Sequence, residues 1–109
     1  MTIAREDSGN GSGRFVLTQD DLRIGTLDYR SGPSGPIYID FVEVSPTTRG
    51  MGLGKRLVQA AVGWARQSQR KVIPICSYSR SVIERDPLLR DVLGNVTKNE
   101  ERRTKKERV

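Results

Sequence analysis

The run Arg49-Gly-Met-Gly-Leu-Gly-Lys55 sets three alternating glycines between two cations. Backbone without side chains can approach a ligand closely, and amides that open a helix point at an anion while the helix dipole favours negative charge. The chemistry such a turn could do is phosphate binding. A Walker loop needs four residues between its glycines and then Lys followed by Ser or Thr, whereas Gly50 and Gly54 enclose three and Arg56 follows Lys55. A dinucleotide fingerprint needs a third glycine where this chain has Lys55 or Leu57. Both nucleotide loops are excluded by spacing. Three further side chains could carry acid, base or nucleophilic chemistry: Glu43, Cys76 and Tyr78.

Such a turn must be led in by a strand and received by a helix. Ile37, Ile39 and Phe41 share one strand face by period two, but Phe41 and Val42 are both apolar, which predicts a bulge within Phe41 to Val44. Pro46 ends that strand. Leu53, Leu57, Ala61, Trp64 and Ala65 line one face of a helix running to about Gln69, and Lys71 to Cys76 reads as a buried strand. A helix between two strands implies a right-handed crossover, so the strands at 37–44 and 71–76 should be parallel neighbours that splay near Pro74. Upstream, Phe15 to Leu17 and Leu22 to Arg30 form an antiparallel hairpin around Gln19-Asp-Asp21, with a slip in alternation at Gly25-Thr26. Downstream, Ser77 can cap a helix through Val82 and Ile83, and Asp86-Pro87 can start another that ends at Gly94. The fold class is α/β (α+β): antiparallel N-terminal strands, a β-α-β unit with a splayed parallel pair, then short helices.

The chain has 109 residues, enough for one domain. Residues 14–94 hold the apolar clusters. Met1 to Gly13, with its Ser8-Gly-Asn-Gly-Ser-Gly13 run, reads as a disordered leader, and residues 95–109 read as a charged flexible tail. The net charge is +6, and half of it falls between Lys98 and Arg108, so the basic balance is partly a tail property and does not imply specific nucleic-acid binding. With one cysteine and no histidine, neither a disulfide framework nor the usual zinc ligand set can be built, and no metal is expected. No apolar run approaches the roughly 20 residues of a membrane span, and the N-terminus is too polar for a signal peptide, so a cytoplasmic location is the default.

Arg49, Gly52 and Gly54 satisfy Arg-x-x-Gly-x-Gly directly after a Val-Ser-Pro strand end. This resembles the pyrophosphate-binding motif of the GNAT superfamily of acetyl-CoA-dependent N-acetyltransferases. Val72-Ile-Pro-Ile-Cys-Ser-Tyr78, followed by Asp86-Pro87, resembles the small single-domain subgroup of that superfamily. The resemblance covers about Phe15 to Leu93. It implies that acetyl-CoA lies between the splayed strands, its pantetheine arm on backbone of Val42 and Val44. Its pyrophosphate would sit on Arg49 and on the amides of Gly50, Met51, Gly52, Leu53, Gly54 and Lys55. An amine acceptor, a protein being one option, would attack the thioester directly, with a backbone N–H at the bulge, that of Val44, polarising the carbonyl.

Each proposed role has a plainer rival. Tyr78 is either the general acid for the leaving thiolate or a packing residue, and Glu43 either a general base or an exposed strand residue. Cys76 is either thioester-adjacent chemistry or a small buried hydrophobe, with no histidine to activate it. Many members of the subgroup carry His-Thr in place of Phe41-Val42, so the acceptor side is altered. Fuller superfamily members also have two helices after the first strand and two further strands at the end. A non-catalytic acyl-CoA-binding module is therefore the alternative to an N-acetyltransferase.

Overall fold

The computed structural model describes residues 1–48 and 50–94. Five strands form one sheet in sequence order: β1 (Thr2–Asp7), β2 (Ser12–Gln19), β3 (Leu22–Ser31), β4 (Ile37–Val44) and β5 (Val72–Pro74). The first four pair antiparallel, and β5 joins β4 in parallel through helix α1 (Leu53–Gln67), as the crossover argument requires. A second helix, α2 (Ser77–Arg85), follows β5. The β2–β3 loop is two residues long, and both Asp20 (φ 53°) and Asp21 (φ 65°) are left-handed, the geometry that matches the twist of a hairpin.

The core lies between one sheet face and the helices. Phe15 and Leu17 from β2, Leu27 and Tyr29 from β3, and Ile37 and Ile39 from β4 meet Leu57, Val58, Ala61, Val62 and Ala65 of α1 and Ile83 of α2. Trp64 closes one end, its ring 4.9 Å from Tyr29 and 5.9 Å from Phe15. Leu57 is fully buried, so truncating it to Ala would cost about 2–5 kcal/mol. The opposite face of the sheet carries charged side chains and no helix among the described residues. There Arg14 pairs with Asp28 and Arg30 with Asp40.

Four features differ from the sequence expectations. Residues 1–13 are not a disordered leader: Thr2–Asp7 pairs with β2 in register, and Ser8 to Gly11 of the glycine-dense run form the hairpin loop. Asp7 accepts the Gly9 amide at 2.8 Å and Asn10 accepts the Ser12 amide at 3.3 Å, which replaces the ladder bonds a loop forgoes. The β4 bulge lies one residue earlier than expected. Asp28 faces Phe41 while Tyr29 faces Ile39, leaving Asp40 as the extra residue. The N-cap of α2 is Cys76, not Ser77. No α-helix starts at Asp86-Pro87. The Asp86 carboxylate accepts the Leu88 amide, a short 3₁₀ turn spans Arg90–Val92, and Gly94 donates to Val72 on the edge of β5. The slip expected at Gly25-Thr26 is a bulge that leaves Ile24 without a partner on β2. The expected tail, 95–109, lies outside the described residues.

Candidate functional site

The bulge in β4 decides which backbone groups are left unpaired. Before it, odd-numbered residues bond to the β5 side: Ile37 donates to Lys71, and the Ile39 carbonyl accepts from both Ile75 and Cys76. After it, an odd-numbered residue bonds to the β3 side, since Ser45 donates to Ile24. The extra residue has reversed the alternation, so the N–H and C=O groups of Val42 and Val44 point away from β3. The parallel ladder ends at Ile39 opposite Pro74, so no strand receives them. Pro74 costs the ladder nothing, because its neighbour Ile75 supplies the bond to β4. The strands splay at this point and leave a cleft.

The cleft has a volume of about 630 Å³ and runs from Phe41, Val42, Glu43 and Val44 to Gly50, Gly52, Leu53 and Gly54, with Tyr78 across from them. Gly50 (φ 84°) and Gly52 (φ 72°) occupy the left-handed region, and nothing stands within 4 Å of where a Cβ would project from either. Gly52 is the N-cap of α1 and provides no side-chain cap, so the first amides of the helix have no partner from it. The turn can therefore present bare N–H groups to an anion. Gly54 serves a different need. A Cβ there would lie 2.6 Å from the Tyr78 hydroxyl, so the missing side chain lets Tyr78 rest on the first turn of α1.

The sequence-predicted residues do not all meet in one place. Val42, Glu43, Val44, Gly50, Gly52, Leu53, Gly54 and Tyr78 line one cleft. Met51 is exposed beside it. Lys55 faces an adjoining hollow with Ser81 and Arg85, where its Nζ is 3.7 Å from Asp86. Arg49 lies outside the described residues. Cys76 is not brought to the cleft. Its Sγ accepts the Ser79 amide at 3.3 Å and its thiol donates to Ser79 Oγ at 3.1 Å, which in turn donates to the Cys76 carbonyl. The sulfur is spent on starting α2. Of the lining residues, sequence reasoning gave Pro46 and Thr48 no role and named Phe41 only as an altered acceptor-side position; the break in alternation at Phe41 was the signal for its place in the lining. Among the described residues no group of three His, Cys, Asp or Glu side chains converges as a metal site would need.

The two open glycine positions and the unpaired strand edge beside them would suit an elongated ligand that ends in phosphate. The sheet is mixed, its parallel pair parts over a glycine turn, and its helices pack on one face. The chain belongs to the GCN5-related N-acetyl-transferase family, whose sequence model matches residues 14–92. No curated protein matches the sequence. Among solved structures, a ribosomal-protein-alanine N-acetyltransferase from Brucella melitensis biovar Abortus 2308 superposes with a TM-score of 0.61 at 16% identity, covering 72% of this chain and 64% of that one. A glucosamine-6-phosphate N-acetyltransferase from Arabidopsis thaliana gives 0.54 at 22% identity, over 63% of this chain and 53% of that one. An aminoglycoside N-acetyltransferase in complex with CoA gives 0.54 at 16% identity, over 70% and 66%. The chain spans about half to two thirds of the length of these proteins. They share its fold.

Proposed function

We propose that this protein transfers the acetyl group of acetyl-CoA to an amine by direct attack. The observation that carries the reading is the unpaired edge at Val42 and Val44 opening onto the glycine turn, in a chain of this family. The pantetheine arm, which carries amides, extends along β4 as a strand would, and the pyrophosphate rests on the amides of residues 50–55 together with Arg49.

Acetyl-CoA brings an activated thioester to this cleft. The neutral amine nitrogen forms a bond to the carbonyl carbon, and the oxygen gains charge that a preorganised N–H receives, that of Val42, the first unpaired edge residue after the bulge at Asp40, in place of the expected Val44. Collapse breaks the C–S bond. The thiolate takes a proton from Tyr78, whose hydroxyl the Gly54 contact holds at the helix start, and the nitrogen loses a proton to Glu43 or to water. Cys76 has no part in this scheme. With its lone cysteine free, the chain suits a reducing cytoplasm.

Titration with acetyl-CoA by NMR, paired with a turnover assay on an amine panel, tests the reading. Shifts centred on Val42 to Lys55 and Tyr78, lost in Gly52→Asp, together with amine acetylation, are expected. Tyr78→Phe should keep acetyl-CoA affinity and lower kcat by about 10²-fold, the scale of general acid catalysis. Absence of shifts at millimolar acetyl-CoA would overturn the reading, and binding without turnover would favour the non-catalytic acyl-CoA module.

A further inference from the structure

The extra residue in β4 also turns side chains over. Ile37 and Ile39 face the core before the bulge, and Val42 and Val44 face it afterwards. Phe41 and Glu43 are thereby placed on the opposite, helix-free face, beside Asp28 and Thr26 of β3, while still lining the cleft. Phe41 is 52% exposed, although burying a ring of this size is ordinarily favourable. The charges around it cancel. Arg14 holds Asp28 at 2.8 Å, and Arg30 holds Asp40 at 2.7 Å through a second bond of 2.9 Å as well. Among the described residues no ion pair involves Glu43, so of these charges its carboxylate is the one left unneutralised.

We propose that Phe41 and Glu43 form the acceptor subsite and select a primary ammonium carried on an unbranched alkyl stem, as in a lysine side chain or a free diamine. The inference rests on the acetyl-transfer reading above. Residues two apart on one strand face stand about 7 Å from each other, a span that several methylene groups and their terminal nitrogen cover. The exposed ring takes the stem, and the carboxylate takes the charged head. A carboxylate also repels the anionic end of a free α-amino acid, and a compact polyhydroxylated amine offers the ring no methylene chain. The ammonium gives up one proton before attack and the product amide loses a second, while the departing thiolate takes one up. One proton is thus released per turnover.

Steady-state turnover with acetyl-CoA tests this on four probes: a blocked lysine amide, 1,5-diaminopentane, glucosamine and glycine, with acetyl-CoA binding to each variant followed by calorimetry. The two alkylammonium probes should exceed the other two in kcat/KM by about tenfold or more, the scale of one desolvated alkyl stem. Their relative rates then separate a protein side chain from a small diamine. Phe41→Ala should raise KM for both alkyl probes with kcat held, Phe41→Leu should restore part of the loss, and Glu43→Gln should narrow the preference over glycine. Equal kcat/KM across the four probes, or an unchanged KM in Phe41→Ala that still binds acetyl-CoA, would overturn the subsite. Acetyl-CoA binding without turnover of any probe would overturn it too, whereas failure to bind acetyl-CoA at all would overturn the proposed function itself.

Discussion

Cys76 shows how a reactive residue can be fully occupied by structure. Its thiol and carbonyl form a closed set of bonds with Ser79, which is wholly buried at the start of α2. Sulfur is a weak acceptor, yet the amide it satisfies would otherwise lack a partner. Cys76→Ala should therefore lower stability by about 1 kcal/mol in urea melts, as loss of an N-cap does. Cys76→Ser should keep most of it, because the hydroxyl caps more strongly. Both variants should retain turnover. Loss of turnover in Cys76→Ser at unchanged stability would return the thiol to the chemistry. Tyr78 and Gly54 show the reverse case, in which a missing Cβ shapes the candidate cleft. Tyr78 is 46% exposed and can swing aside, so crowding it from position 54 would disturb the cleft more than the fold.

At the scale of elements, the β-α-β unit was legible because its pattern is apolar and periodic. Leu57, Ala61 and Ala65 are fully buried as the helical spacing required, and β5 is buried along its length. β1 was not legible. Only Ile3 among its residues is even half-buried, and the strand is held by backbone pairing and by Arg5, which lies 4.4 Å over the Trp64 ring and donates to Tyr29. A polar edge strand leaves no alternation to read. The segment after Asp86 misled for a similar reason. Its leucines look helical, but Leu93 and Gly94 turn back to the edge of β5. That return is tied to α1 by Arg66, which bonds Asp91 and the Leu88 carbonyl. The hydrogen bond from Arg66 holds the Asp91 carboxyl below its ordinary range. A carboxyl with a depressed folded-state value contributes stability above its unfolded value, and that contribution fades as pH falls through the folded one. Asp91→Asn should accordingly lower the melting temperature near neutrality and make it less sensitive to pH below about 4. The two melting curves should converge in acid; parallel curves would dismiss the contact as a source of stability.

At the scale of the molecule, the helices cover one face of the sheet, and the cleft opens where that face, the uncovered face and the glycine turn meet. Sequence spacing located the glycine half of the site, since close approach and left-handed φ demand glycine. It could not locate the rim, because whether Phe41 faces the core or the open side depends on a single extra residue at Asp40. The cleft walls belong to β4, α1 and α2, and a long ligand lying across them would bridge all three elements. Binding to the folded state alone adds stability as RT ln(1 + [L]/Kd), about 2.7 kcal/mol at a hundredfold excess over Kd. In a domain this small each kcal/mol moves Tm by about 4–8 °C, so saturating acetyl-CoA should raise Tm by more than about 10 °C. Gly52→Asp sets a carboxylate where the anion would rest, and it should abolish that rise. Amide exchange in the same experiment should slow at Val42, Val44 and residues 50–55 and leave β1 unchanged. Slowing spread evenly over the sheet would point to general stabilisation without a ligand seated in the cleft.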